Sequence, residues 1–262
     1  MIGIGTVIAI GGNEDKRGRA TSILAEFIRR AGGADARIAI VPSASMEPVT
    51  RGDQYARIFR KLGAACVRVV HPEDGATPDE LMTITNATGI FVTGGDQERL
   101  MLHLRRAGID NAIVEAVRSG AVYAGTSAGA SAASLQMIAG SKRRRRTDLL
   151  EMGNGLGLVP DVIIDQHFSE RRRTARLMSA TTAHGMTGIG IDENTAVIFD
   201  RTGTIEVLGD GTATLVVPEG PHAAHLRLLA AGQRFEADAA PRSTPTKRTL
   251  ANANAATRVA AS

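Results

Sequence analysis

With 262 residues, 43% of them hydrophobic and 22% charged, the chain has the size and composition of one soluble α/β domain or two small ones. Such a length buries enough surface to stand without disulfides or a structural metal, and the single cysteine, Cys66, excludes a disulfide framework and suits a reducing compartment. The net charge of +4 raises nucleic-acid binding, but aromatics make up only 3% and tryptophan is absent, which removes the stacking platforms of single-strand binders. No basic-then-apolar leader and no run of about 20 apolar residues occurs, so the expectation is a cytoplasmic protein with neither membrane nor nucleic acid as partner.

Along the chain, residues 6–10, 37–41, 67–70, 90–93 and 121–124 are short apolar, β-branched runs next to Gly, Pro, Ser or Asp, the signature of buried parallel strands. Helical faces lie between them: Ile23, Leu24, Phe27 and Ile28; then Ile58, Phe59 and Leu62; then Leu100, Met101 and Leu104; then Ile113, Val114 and Val117. This alternation predicts an α/β fold with an open, mostly parallel sheet flanked by helices. A loop is expected over 140–160, carrying the basic run 142–146 and a Gly-rich stretch, followed by a strand at 162–165 and a helix at 169–180. Residues 188–217, with turn signals at Gly203 and Gly209-Asp210-Gly211, predict a C-terminal antiparallel extension. Residues 1–240 read as one α/β domain, and 241–262, rich in Ala, Thr, Asn and Arg without periodicity, as a disordered tail.

Gly125-Thr126-Ser127-Ala128-Gly129 is the sharpest chemical signal, because it sits between a predicted buried strand and a predicted helix. A strand-to-helix turn lifts a serine hydroxyl out of the sheet, and flanking glycines relieve the crowding. The Ala128 N–H would then face a substrate oxyanion. Serine needs a base, and His167 lies just past the strand at 162–165, at the same carboxyl edge of the sheet as Ser127; His184 is the rival. Glu193 ends the next strand and can orient the imidazole, with neighbouring Asp192 as the alternative. An α/β-hydrolase order, with Asp161 or Asp165 as the acid, survives as a weaker arrangement.

Thr93-Gly94-Gly95-Asp96-Gln97 closes another strand, where Gly95 or its neighbour offers a second oxyanion N–H and Gln97 points an amide at the pocket, unless the segment is an ordinary turn with an Asp cap. Arg171, Arg173 and Arg176 follow His167; Arg173 and Arg176 share a helix face, and guanidiniums beside a hydrolytic site suit a substrate with free carboxylates. No phosphate-loop, dinucleotide or zinc string occurs, so neither metal nor cofactor is expected.

Together, Gly11-Gly12-Asn13-Glu14-Asp15-Lys16, Gly94-Gly95-Asp96-Gln97, Gly125-Thr126-Ser127-Ala128-Gly129-Ala130, Ile164-Asp165-Gln166-His167-Phe168 and Gly188-Ile189-Gly190-Ile191-Asp192-Glu193 resemble the cyanophycinases, serine peptidases of family S51 related to dipeptidase E. The resemblance implies a flavodoxin-like sheet akin to class I glutamine amidotransferases, a homodimer, and exopeptidase cleavage of cyanophycin, a polyaspartate bearing arginine on each β-carboxyl, to β-Asp-Arg. A dipeptidase E-like or isoaspartyl peptidase acting on small acidic peptides is the alternative. It implies Ser127 as nucleophile, His167 as base and Glu193 as orienting acid, with Gln97, Asp165, Gln166, Arg171, Arg173 and Arg176 in the substrate pocket. Three departures stand out: Asn13 where a small residue is usual, a heavier basic run at 142–146, and Arg172 in place of a glycine between the pocket arginines. The first two are expected to touch chain-length preference more than catalysis, and the third to crowd the pocket.

Overall fold

The computed structural model describes residues 3–19, 22–71, 75–141 and 150–236. The basic run 142–146 and the segment from 241 onward lie outside the described residues. In the N-terminal half, β1 (Val7–Ile10), β2 (Arg37–Val41), β3 (Cys66–Val69), β4 (Gly89–Val92) and β5 (Val122–Thr126) run parallel in the order β1-β5-β4-β2-β3. The crossovers are α1 (Ile23–Arg30), α2 (Pro48–Lys61), α3 (Pro78–Thr85), and the pair α4 (Gln97–Ala107) and α5 (Asp110–Arg118).

All four β1 residues are buried because both faces of the sheet are covered. Successive side chains alternate between faces, so Val7 and Ala9 join the core with Leu100 and Leu104 of α4, while Ile8 and Ile10 join Phe27 of α1 and Phe59 of α2. On that second face Phe27, Tyr55, Phe59 and Phe91 form one cluster with ring centroids 4.5–6.0 Å apart, the spacing at which aromatic rings attract beyond simple burial. Local signals fix the helix starts: Ser22 accepts a hydrogen bond from Ala25 N, Thr77 and Glu80 form a reciprocal capping box, and Asp96 accepts from Arg99 N.

After β5 come α6 (Ala128–Ala132), β6 (Gln136–Ser141) and β7 (Leu150–Asn154), the last two paired antiparallel. This corrects the loop expected over 140–160. Ile138 is buried with Leu150, Met152, Ile163 and Phe168, and that apolar cluster makes ordered strands of a stretch whose glycines dilute its alternation. Then follow β8 (Val162–Gln166), α7 (Thr174–His184), β9 (Thr187–Ile191), β10 (Thr195–Phe199), β11 (Thr204–Gly209), β12 (Thr212–Pro218), β13 (Ala224–Ala230) and β14 (Arg234–Glu236). The helix expected from 169 starts at Thr174 instead, because the preceding residues form a turn in which Arg171 N donates to His167 O (3.1 Å) and Arg173 N to Phe168 O (3.0 Å).

The C-terminal strands divide between two sheets. β10, β11 and β14 add antiparallel to β1, giving the eight-stranded order β14-β11-β10-β1-β5-β4-β2-β3. A second sheet has the order β13-β12-β9-β8, and here the expectation of purely antiparallel strands over 188–217 needs correction: β9 runs antiparallel to β12 but parallel to β8. The division carries β8 and β9, with the residues that follow each of them, to the carboxyl end of β1.

Candidate active site

Ser127 occupies the turn from β5 to α6 with φ 52° and ψ −110°, a conformation that is rare for a side-chain-bearing residue and costs about 1–3 kcal/mol. The tightness of this turn explains its two flanking glycines. A Cβ at position 125 would lie 2.3 Å from Gly129 O, and one at 129 would lie 2.4 Å from Val92 O.

Three consecutive carbonyls at the end of β1 hold the segments that meet here. Ile10 O accepts from Ser127 N (2.9 Å), Gly11 O from His167 N (2.8 Å) and Gly12 O from Asn194 N (2.8 Å). His167 has φ 47° and Asn194 the same, so each leaves its strand by a sharp left-handed step. Gly12 must lack a side chain, since a Cβ there would lie 2.3 Å from the His167 ring.

In this frame Ser127 Oγ lies 3.0 Å from His167 Nε2, and His167 Nδ1 lies 2.7 Å from Glu193 Oε1. A base within hydrogen-bond reach of a hydroxyl, itself oriented by a carboxylate, is the arrangement that activates a serine. Of the two acids at the end of β9, Glu193 faces the imidazole. Asp192 is committed elsewhere: it accepts from Ser169 N (3.0 Å), Thr212 N (3.2 Å) and Thr212 Oγ1 (2.6 Å). His184 ends α7 in an exposed position, and it is His167 that stands at Ser127. The hydrogen bond with His167 holds the Glu193 carboxyl below its usual range, outweighing partial desolvation, with help from Asn13 and the charge of Arg171.

Asn13 therefore has a place beside the acid, contrary to the expectation that it bears on chain-length preference. Its Nδ2 donates to Glu193 Oε2 at 3.0 Å. The other departure, Arg172, has φ 51°, a left-handed backbone that glycine adopts without cost; its side chain is exposed, so the change from glycine acts on the turn and not by crowding the buried cluster beside it.

Neither Gly95 N–H nor Ala128 N–H has a hydrogen-bond partner among the described residues. Gly95 lines a cleft of about 380 Å³ whose wall also includes Ser127, Gly94, Asn13 and Tyr55, and Ala128 directly follows Ser127 in the chain. Asp96 caps α4 as an ordinary turn would require, and Gln97 donates its amide to Ile138 O and Ala139 O (both 2.8 Å), pinning β6 to α4. That bonding leaves only the Gln97 carbonyl oxygen for a ligand.

The remaining pocket residues form a compact ion cluster. Asp165 is 1% exposed and accepts from Arg173 Nη1 (3.1 Å), from Arg176 Nε (3.0 Å) and from Arg176 Nη2, while Arg173 also donates to Gln166 Oε1 (2.6 Å). Burial pulls the Arg173 guanidinium down to about 10 against the attraction of Asp165, so it remains a cation near neutral pH. Arg173 and Arg176 thus serve Asp165 first, whereas Arg171 is exposed, close enough for its charge to be felt at Glu193. No cluster of His, Cys, Asp and Glu that could hold a metal occurs among the described residues.

Sequence reasoning missed Glu14 as part of this site. The residue is 3% exposed, accepts from Thr126 Oγ1 (2.6 Å) and from the Tyr55 hydroxyl, and pairs with Lys16 (3.2 Å). It thereby ties the residue before Ser127 to α2. Burial pushes its carboxyl up, but Lys16, the two hydroxyls and its own backbone N–H prevail and leave it below its usual value of 4.5. A lowered folded-state value means that ionised Glu14 stabilises the fold above pH 4.5 and that this contribution is lost as the pH falls through the folded value. The stability gap between wild type and Glu14→Gln in urea should accordingly narrow from pH 6 toward pH 3, a range set around that 4.5. A gap that is flat across this range contradicts the assignment.

The sequence model of peptidase family S51 matches residues 7–207. A cyanophycinase from Synechococcus elongatus is 44% identical over 222 residues, 82% of this chain and 68% of that protein. A peptidase E from Streptomyces coelicolor is 39% identical over 97 residues, 37% of each chain. Among solved structures, a peptidase from an acI-B1 actinobacterium superposes with a TM-score of 0.67 at 22% identity, covering 90% of this chain and 97% of that one, which is a likeness of fold.

Proposed function

The chain belongs to peptidase family S51, and from that premise we propose that it is a serine-type exopeptidase that hydrolyses cyanophycin to β-Asp-Arg dipeptides. The observation that carries the reading is the relay Ser127–His167–Glu193, with its 3.0 Å and 2.7 Å links, in a chain 44% identical to a cyanophycinase over most of its length.

In the proposed mechanism Ser127 Oγ attacks a backbone carbonyl of the polymer while His167 Nε2 takes the hydroxyl proton. Glu193 holds the Nδ1–H tautomer and stabilises the imidazolium. The oxyanion of the tetrahedral intermediate is received by the N–H groups of Gly95 and Ala128, at the positive end of α6. His167 then returns the proton to the departing amine, and a water activated by the same imidazole hydrolyses the acyl-enzyme. Arg171 and the Asp165–Gln166–Arg173–Arg176 cluster complete the substrate pocket beside His167. The proposal extends to a homodimer acting in the cytoplasm; no helix among the described residues is long and apolar enough to cross a membrane.

Purified protein incubated with cyanophycin should release β-Asp-Arg, identified by mass. If no dipeptide appears while a serine-directed covalent probe still labels Ser127, the hydrolase stands and cyanophycin is discarded. Small isoaspartyl peptides then become the substrates. The peptidase E likeness favours that second reading, but over 37% of the chain against 82% for the cyanophycinase match.

A further inference from the structure

The cleft beside Ser127 has a wall that the catalytic relay does not use. α2 contributes Arg51 to it, and the residue at the start of α2, Glu47, lines it as well. Arg51 N donates to Glu47 O at 3.0 Å, so the two are one helical turn apart and their side chains share a face. Opposite charges so placed usually pair, yet these two form no ion pair. Glu47 has no side-chain partner among the described residues, and its carboxylate does not cap α2. Arg51 donates one hydrogen bond, to Gln54 Oε1 (2.7 Å), and has no carboxylate within ion-pair distance among the described residues. The other cation of the cleft, Lys16, is already neutralised by buried Glu14 at 3.2 Å. The wall therefore presents one open anion and one open cation, side by side, in a space of about 380 Å³ that reaches the nucleophile. That volume lies in the range of small-molecule pockets.

A ligand that satisfies both charges is a zwitterion with a cationic group and a carboxylate a few bonds apart. The arginine of a β-aspartyl-arginine unit is such a group: its α-amine is consumed in the isopeptide bond, which leaves a free α-carboxylate and a guanidinium at the end of a short chain. We propose that Arg51 and Glu47 form the subsite for this arginine, Arg51 taking its α-carboxylate and Glu47 its guanidinium, in the unit whose backbone carbonyl Ser127 attacks. The proposal rests on the reading of the protein as a cyanophycin exopeptidase and adds to it the residues that select the side chain.

The test uses short synthetic polyaspartate oligomers carrying arginine, citrulline or arginine amide on every β-carboxyl. Citrulline keeps the shape of arginine and removes its charge; the amide removes the α-carboxylate. Wild type should prefer arginine to both by tenfold or more in kcat/KM. Glu47→Gln should collapse the preference over citrulline, with Glu47→Asp retaining part of it. Arg51→Gln should collapse the preference over the amide, with Arg51→Lys retaining part. Both positions are at least partly exposed on a helix surface, so the variants should fold, and urea midpoints equal to wild type check this. A wild type that does not discriminate, or variants whose ratios stay within twofold of wild type, overturn the subsite while dipeptide release leaves the exopeptidase reading intact. If wild type releases no dipeptide from the arginine oligomer, both readings fall together.

Discussion

Ser127→Ala should reduce kcat on cyanophycin by about 10⁴-fold or more, with thermal stability equal to or above that of wild type. Loss of the hydroxyl removes the nucleophile outright, so the imidazole 3.0 Å away has no proton to accept. Stability is not expected to fall, because the alanine keeps the backbone bond from Ser127 N to Ile10 O while giving up only one polar contact. Glu193→Gln should come close behind, at about 10⁴-fold, since an amide can present its NH₂ to His167 Nδ1 and stabilise the tautomer that cannot take the serine proton. The two losses should not multiply: the double variant should be no slower than Ser127→Ala, because the residues act as one relay. Initial rates on cyanophycin, with covalent-probe labelling of the serine in Glu193→Gln, decide the matter. A Ser127→Ala protein within tenfold of wild type would falsify the assignment of the nucleophile.

Asp165→Ala should destabilise the protein by about 3–5 kcal/mol, the cost of leaving buried charge without its counter-ion. The side chains of Arg173 and Arg176 are only 13% and 16% exposed, and both donate to this one carboxylate. Without it two guanidiniums face each other in a half-buried site beside the turn that delivers His167. Single loss of either arginine should cost less, because Asp165 keeps the other. Urea unfolding monitored by far-UV circular dichroism gives the ordering, and an Asp165→Ala midpoint equal to wild type would remove the cluster from the stability account. Activity should fall as well, because Arg173 also binds Gln166 Oε1 (2.6 Å), one residue before His167.

The parallel half of the fold was legible because its strands are buried on both faces and so appear as unbroken apolar runs; residues 37–41, for instance, match β2 end to end. Ser127 was legible because a strained turn between strand and helix demands glycine at fixed offsets, and His167 because it ends a buried strand. The misses share a physical cause, which is that backbone groups carry no side-chain signature. Nothing in Gly11-Gly12 says that their carbonyls hold His167 and Asn194 (2.8 Å each), and nothing in the alternation of 188–217 says that β9 pairs parallel to β8. The choice between Asp192 and Glu193 was likewise beyond spacing; it depends on Thr212 and Ser169, which engage the first and leave the second to turn toward the imidazole. Glu14 went unread as a site residue because its partners Tyr55 and Thr126 are distant in sequence.

The pairing of β1 with β10, residue 7 against 199 and residue 10 against 196, has a consequence for the growing chain. Once made, β1 cannot complete its place in the sheet until the chain has been extended by nearly two hundred residues to β10. Before that point Ser127 has already been made, but the carbonyls of Gly11 and Gly12 have no His167 or Asn194 to hold. At roughly 5–20 residues per second, several seconds separate synthesis of the nucleophile from that of its acid. On the proposed relay a polypeptide that stops short of His167 and Glu193 should be inert, so that hydrolytic power would arrive only with the closing strands, as a built-in certificate that translation has run through the domain.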